Sequence, residues 1–454
     1  MSTEKVHFIA VGGSVMHNLA LALKQKGAIV TGSDDELFEP SKSRLLSNGI
    51  LGDTGWNPAK ITNDLDAVVV GMHAKKDNPE LVKAQELKLP IYSFPEYIYK
   101  QSIDKQRIVI AGSHGKTSIT AMVLHVLKHA KKTFDYAVGA QLDGFDTMVQ
   151  LSDAPIIIIE GDEYLSSPLD SKPKFLNYHH HILVLNGIAW DHMNVFPDVD
   201  TYISQFETLA DKTPKSGSII YYENDAVVKK MATKKRTDVH LFPYKALSAK
   251  YKDGKTLVGR EKIEVPFFGE HNMINANAAK EVCARLGIKE DEFLDAICTF
   301  TGAAKRLESL GENKTKEVNI YKDFAHAPSK LKASCNAVKE LFPKRKLVAC
   351  IELHTFSSLN KDFLPQYNKS FDAADEAIVY INPKTLDSKG GQTISEDELQ
   401  AYFGNKKVKL YHNINELSTF LEKQKWEKSN LLLMSSANFG ELDFEKLAKS
   451  VLNS

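Results

Sequence analysis

The chain has 454 residues, enough for about three domains, and its 43% hydrophobic content is ample for packed cores. Lysine plus arginine and aspartate plus glutamate both number 58, so the formal net charge is zero. Basic clusters such as Lys229-Lys230 and Lys234-Lys235-Arg236 lack interleaved aromatics and read as solvated faces, which leaves no electrostatic footprint of a nucleic-acid binder. No apolar run approaches the ~20 residues of a membrane span, and the N-terminus enters a strand with no signal-peptide pattern. Cys283, Cys298, Cys335 and Cys350 form neither a C-x-x-C pair nor a zinc spacing. A cytoplasmic chain with buried free thiols and no membrane association is expected.

In chain order, Val6 to Val11 reads as a strand, Gly12-Gly13 as a turn, Met16 to Lys24 as a helix and Ala28 to Gly32 as a second strand ending in Ser33-Asp34. Asp66 to Val70 and Ile91-Tyr92 supply further short strands. An acidic residue about twenty positions beyond a glycine turn is the pattern of a nucleotide-binding α/β unit. The turn departs from G-x-G-x-x-G, since Ala10 and Val15 stand where glycines are expected. A dinucleotide-dependent dehydrogenase domain, an ordinary α/β domain with a tight turn, and a site for another nucleotide all fit this stretch.

The apolar strand Ile108 to Ala111 leads into Gly112-Ser113-His114-Gly115-Lys116-Thr117-Ser118, and helical apolar spacing follows from Ile119 to Lys128. Strand, glycine loop, Lys-Thr and helix together cradle a nucleotide triphosphate. The loop amides and helix N-terminus face phosphate, the lysine reaches the terminal phosphates, and the hydroxyl takes Mg²⁺. The spacing here is G-x-x-G-K-T, shorter than the usual P-loop. ATP is the expected nucleotide.

Four isoleucines, Ile156 to Ile159, predict a strand buried on both faces, with Glu160-Gly161-Asp162-Glu163 at its tip. Glu160 is the expected Mg²⁺ ligand, with Asp162 and Glu163 in support; a solvated acidic turn is the alternative. The strand Ile182 to Leu185 ends at Asn186, and Asp191-His192 lies just beyond it. His192 suits a metal ligand, a base or a loop cap. His179, His180 and His181 precede that strand, which puts them at the opposite end of the sheet from the phosphates.

Lys212 to Lys262 is polar and charge-rich, with scattered short strands. Gly269-Glu270-His271-Asn272 opens a helix, where Asn272 either reads an adenine edge or caps the helix. Asp323-Phe324-Ala325-His326-Ala327-Pro328 ends the strand Val318 to Tyr321; it could close a site, and Pro328 also suits a plain helix start. Leu347 to Ile351, Ala377 to Ile381 and Asn430 to Met434 read as parallel core strands.

In this order, G-S-H-G-K-T-S, E-G-D-E-Y, W-D-H, G-E-H-N-M-I-N, A-K-R-L-E and D-F-A-H-A-P resemble the Mur ligases, the ATP-dependent amide-forming enzymes of peptidoglycan precursor metabolism, over nearly the whole chain. The resemblance implies an α/β fold of three domains: a Rossmann-like unit over 1–105 for a UDP-sugar, a P-loop-type ATPase over 106–304, and a Rossmann-like unit over 305–454 that closes over the site. It also implies that Lys116 holds the β- and γ-phosphates, that Thr117, Glu160 and His192 bind Mg²⁺, that Asn272, Arg306 and Asp323 contact ATP, and that His326 organises the acceptor site. Gly12, Gly13, Ser33, Asp34, His73, Asn78 and His354 are the expected substrate contacts. Ala327 stands where a second histidine is common, and Gly161 replaces a frequent alanine, which reads as a small change.

Among these ligases the chain is most similar to those that join L-alanyl-γ-D-glutamyl-meso-diaminopimelate to UDP-N-acetylmuramic acid in peptidoglycan recycling. Glu163-Tyr164, Lys174-Phe175, Tyr178 and Asp77-Asn78-Pro79 point that way. The L-alanine-adding ligases are the alternative; they tend to have serine where Tyr164 stands, and an arginine near the position of Leu359. The implied partners are UDP-N-acetylmuramic acid and a muropeptide or L-alanine, bound by a monomer or homodimer. Folylpolyglutamate-type ligases normally lack a domain like residues 1–105. A nucleotide-dependent switch ATPase is the reading outside the ligases.

Overall fold

The computed structural model describes residues 3–52, 54–191, 193, 195–233, 236–302 and 306–454. They pack as two compact units: Met1–Ile188 with Ile203–Tyr244 and Ala278–Lys289, and Ala189–Tyr202 with Lys245–Asn277 and Glu290–Ser454.

The first unit holds two parallel-rich sheets. Strands β1 (Lys5–Ile9), β2 (Ile29–Ser33), β3 (Ala67–Val70) and β4 (Ile91–Ser93) pair in the order β2-β1-β3-β4, all parallel. Parallel pairing sends every strand's carboxyl end to one edge. The Gly12-Gly13 turn, Ser33-Asp34 and the segment after β3 that carries His73 and Asn78 therefore share that edge.

The larger sheet comprises β5 (Gln106–Ala111), β6 (Asp135–Ala137), β7 (Val149–Gln150), β8 (Ile156–Gly161), β9 (Ile182–Leu185), β10 (Ser218–Tyr222) and β11 (His240–Tyr244), in the order β11-β10-β9-β5-β8-β6-β7. Only the β6–β7 pair is antiparallel. β5 lies between β8 and β9, with Ile110 opposite both Glu160 and Val184. Ile157, Ile158 and Ile159 are fully buried, as a run of apolar residues covered on both faces must be. The two sheets are tied at the end of α-helix Ser14–Gln25: Met148 N donates to Asn18 Oδ1 at 2.9 Å, and an Arg44 guanidinium nitrogen donates to Asp146 O at 2.8 Å.

The second unit has an antiparallel sheet of β12 (Ala249–Lys252), β13 (Lys255–Val258) and β14 (Ile263–Val265). It also has a six-stranded sheet of β15 (Glu308–Asn313), β16 (Val318–Asp323), β17 (Lys346–Glu352), β18 (Glu376–Tyr380), β19 (Val408–Tyr411) and β20 (Ser429–Met434), ordered β15-β16-β20-β17-β18-β19. Along β17, Leu347, Ala349 and Ile351 face one core while Val348 and Cys350 face the other, the period of two expected for a sheet covered on both sides. The four cysteines are free, and Cys298 is half-buried where full burial was expected. Among the described residues no helix is long and apolar enough to cross a membrane.

Candidate active site

The α-helix Lys116–His129 begins directly after Gly115, whose φ of 72° makes the left-handed turn from the loop into the helix. Gly112 has φ +135°, and a Cβ there would stand 3.1 Å from Asn186 Cβ and 3.2 Å from Gly187 O. Both glycines are therefore required by backbone geometry. Ser113 N donates to Gly187 O at 2.9 Å, and Asn186 Nδ2 donates to His114 O at 3.0 Å. Asn186 is buried and is itself held by the Tyr244 hydroxyl, 2.7 Å from its Oδ1. The tip of β9 thus fixes the loop from the side, a role that no motif in the sequence announces. The first N–H groups of the helix have no carbonyl one turn earlier in the helix, which is the arrangement that favours phosphate. Ser118 lies buried in that first turn.

Lys116 Nζ donates to Gly112 O and to Glu163 Oε2, each at 2.7 Å. Burial opposes the ammonium, but Glu163, Asp162 and Glu160 more than offset it and hold the Lys116 pKa above its ordinary value. Thr117 Oγ1 donates to Glu160 Oε1 at 2.9 Å, and Gly139 N donates to Glu160 Oε2 at 3.1 Å. Asp162 Oδ2 pairs with Lys174 Nζ at 2.6 Å. The acidic tip of β8 is therefore divided. Glu160 reaches the Thr117 hydroxyl, Glu163 pairs with Lys116 and Asp162 pairs with Lys174.

The Thr117 hydroxyl and Glu160 carboxylate are hard oxygen donors that fit Mg²⁺. Among the described residues no group of three or more His, Cys, Asp or Glu forms a metal cage. Mg²⁺ carried in by a nucleotide takes one or two side chains and completes its shell with phosphate and water. His192 lies outside the described residues. His179, His180 and His181 sit at the opposite end of the sheet, before β9, and are engaged in structure. Arg107 N donates to His181 Nδ1 at 3.0 Å, Arg107 Nε donates to His179 O at 2.9 Å, and His180 Nε2 lies 2.8 Å from Thr213 Oγ1.

On the four-stranded sheet, Gly12 N donates to Asp34 Oδ2 at 2.6 Å. A Cβ on Gly12 would stand 2.8 Å from that oxygen. Ala10, where a glycine was expected, adopts φ 60° all the same. The turn is thus formed with an alanine accepting the left-handed conformation. Gly13 caps the following helix. Lys60 Nζ donates to Ser33 Oγ at 3.0 Å. Asn78 Oδ1 accepts from Glu80 N and Leu81 N and caps the helix Pro79–Glu86. His73 is exposed on the same edge.

In the second unit, Asp323 at the end of β16 accepts from Leu307 N at 3.3 Å, from Phe324 N at 2.8 Å and from the Ser334 hydroxyl. Arg306 lies 4.6 Å over the Phe324 ring, so Arg306 and Asp323 come together around one turn. His326 Nε2 lies 4.0 Å and Lys330 Nζ 3.7 Å from Asp191 Oδ2. Burial and Lys330 push the His326 pKa down to about 3 against the pull of Asp191. Asn272, in the first turn of helix Glu270–Arg285, donates to Phe268 O at 2.9 Å, so its amide nitrogen holds the helix entry. His354 lies just beyond β17 at the same edge of the sheet, its Nδ1 3.3 Å from Ser436 Oγ, and the neighbouring Ser435 N donates to Asp323 O at 2.9 Å.

This fold and this loop define an α/β nucleotide-binding protein in which lysine, hydroxyl and carboxylate converge on the phosphate end of a parallel sheet. Residues 5–104 match the Mur ligase family catalytic domain, and residues 110–283 match the Mur ligase middle domain. A UDP-N-acetylmuramate–L-alanine ligase from Caldicellulosiruptor bescii is 31% identical over 394 residues, covering 83% of each chain. The chain belongs to the Mur ligase family and is an ATP-using, ADP-forming amide ligase. Its fold is shared with a Thermotoga maritima UDP-N-acetylmuramate–alanine ligase at TM-score 0.68, 21% identity and coverage of 99% and 98%. It is likewise shared with a murein peptide ligase from Psychrobacter arcticus at TM-score 0.65, 21% identity and 99% coverage of both chains. Family membership removes the switch-ATPase and dehydrogenase readings.

Proposed function

We propose that the chain uses ATP to activate the carboxylate of UDP-N-acetylmuramic acid and couples it, in the cytoplasm, to the amine of L-alanine. The observation that carries this is the convergence of Lys116, Thr117 and Glu160 at one end of β5 and β8. Free L-alanine as the amine is supported by the name of the Caldicellulosiruptor bescii relative. The tripeptide L-alanyl-γ-D-glutamyl-meso-diaminopimelate, whose first residue is also L-alanine, is the second reading. It is favoured by Tyr164, Lys174-Phe175 and Tyr178.

A carboxylate does not condense with an amine at neutral pH, because its oxygen is a poor leaving group. Transfer of the γ-phosphoryl group gives an acyl phosphate, and amine attack then expels phosphate. The residues contribute positioning and charge neutralisation. Lys116 faces the terminal phosphates. Thr117 and Glu160 would hold Mg²⁺, which supplies further neutralisation of the triphosphate. Our working division is residues 1–105 for the UDP-sugar, 106–304 for ATP and 305–454 for closure, with Asn272, Arg306, Asp323 and His326 as further contacts. ADP release measured with UDP-N-acetylmuramate and each amine in turn tests the reading. A rate at least tenfold higher with L-alanine supports the first amine, the reverse supports the tripeptide, and no ADP with either defeats both.

A further inference from the structure

The Asp162–Lys174 pair is used by no motif of the phosphate loop, yet it sits at the same end of the same strand. Glu160 and Asp162 are two residues apart at the tip of β8. The chain turns tightly as β8 ends, with Asp162 N donating to Glu160 O at 3.2 Å, so Asp162 stays beside the residue whose carboxylate meets Thr117. The segment carrying Lys174 is folded back onto this tip. Lys174 N donates to Tyr164 O at 2.9 Å, Phe175 N donates to Asp162 O at 3.1 Å, and Tyr164 N donates to Asp162 Oδ1 at 3.0 Å. Phe175 is fully buried against Phe206, with ring centroids 5.1 Å apart, so the backbone below Lys174 is anchored. The Lys174 side chain is 17% exposed and that of Asp162 38%, so the pair is partly open to solvent.

Charge makes this pair more than a surface clip. Three carboxylates, Glu160, Asp162 and Glu163, against two ammoniums, Lys116 and Lys174, leave this tip one negative charge in excess. A triphosphate and an acceptor carboxylate must both approach it. Lys116 already holds Gly112 O and Glu163. Lys174 is the other ammonium paired at this tip, and its partner Asp162 is a carboxylate that an incoming carboxylate can replace like for like.

We propose that Lys174 receives the carboxylate that accepts the γ-phosphoryl group, exchanging Asp162 for the substrate. The inference rests on the acyl-phosphate reading given above. In that step a carboxylate oxygen forms a bond to the γ-phosphorus. The bond from that phosphorus to the bridging oxygen breaks, its electron pair stays on ADP, and no proton moves. Lys174 lowers the repulsion between the two anions and aims the carboxylate oxygen.

The test is initial-rate kinetics of ADP release by the full chain with UDP-N-acetylmuramate varied at saturating ATP. Lys174→Ala is expected to lower kcat/KM for the UDP-sugar acid about 10²-fold, the scale of losing one charged group at a developing anion. The KM for ATP should move less than about threefold, and Lys174→Arg should recover at least about tenfold of the loss by restoring the cation. Asp162→Asn, which frees the lysine without removing it, should retain at least about tenfold more activity than Lys174→Ala. Wild-type-like kinetics for Lys174→Ala would overturn the proposal. So would equal losses in all three variants, the signature of a structural pair. Should Lys174→Ala melt early, Asp162→Asn and Lys174→Arg decide: a loss of more than about tenfold in Asp162→Asn, or wild-type-like kinetics in both, overturns the proposal, and a smaller loss in Asp162→Asn with a measurable loss in Lys174→Arg supports it. A wild-type chain that releases no ADP with either amine defeats the proposed function and this inference together. An active wild type with an indifferent Lys174 defeats this inference alone.

Discussion

Lys116 is the side chain whose loss is expected to cost most. It reaches Gly112 O and Glu163 from inside a closed loop, and its charge is sustained in burial by three carboxylates. Lys116→Ala is expected to cut ATP-dependent amide formation by about 10³-fold, measured as ADP release with both substrates present. Retention within tenfold would show that the phosphates lie elsewhere. Glu160→Gln keeps the shape but removes the charge beside Thr117. It should raise the Mg²⁺ concentration for half-maximal rate about tenfold while leaving the fold intact by circular dichroism. Lys-Thr after a glycine named both partners in the sequence. The division of labour among Glu160, Asp162 and Glu163 did not appear there, because adjacent carboxylates are chemically alike until their directions are known.

At the scale of elements, β5 and β8 run so close at their ends that Gly161 is constrained. A Cβ there would stand 2.8 Å from Val109 Cγ1 and 3.1 Å from Ile110 O. Gly161→Ala is therefore not the small change that its side-chain size suggests. It should destabilise the first unit by about 1–3 kcal/mol, read as a lower thermal midpoint, with activity falling as the loop at the tip of β5 shifts. An unchanged midpoint would mean that the strands separate freely. The helix after the loop starts at Lys116, three residues earlier than the apolar spacing suggested, because Gly115 turns the chain directly into it. Periodicity detects the buried face of a helix. It does not detect a first turn whose side chains serve a ligand.

For the whole molecule, histidines buried neutral are expected to lower stability in acid. Burial pushes the pKa of His180 down to about 3 and that of His354 to about 4, and burial with Lys330 pushes His326 to about 3. Each folded value lies below the unfolded one near 6.5. The unfolded chain therefore binds the proton first, and stability is lost as pH falls from about 6.5 toward 4. A fully buried histidine contributes up to about 1.4 kcal/mol per pH unit across that window. The thermal midpoint should fall on acidification from pH 7 to pH 5, and His180→Gln should flatten that slope. An identical slope in the variant would show that His180 does not titrate with unfolding.

Some of this molecule is decided by residue order alone. Alternating apolar strands and helices require an α/β protein, and glycine, lysine and threonine between strand and helix suit a phosphate cradle, because φ/ψ freedom, charge and hydroxyl are local properties. The carboxyl ends of parallel strands then collect loops far apart in sequence at one edge. Which acid serves which cation, that Asn186 and Tyr244 brace the loop, that Arg306 and Asp323 share one turn, and that Asn272 holds its own helix entry were decided only by tertiary structure. These are contacts between distant segments, and a hydrogen bond has direction and a length limit that spacing along the chain does not encode.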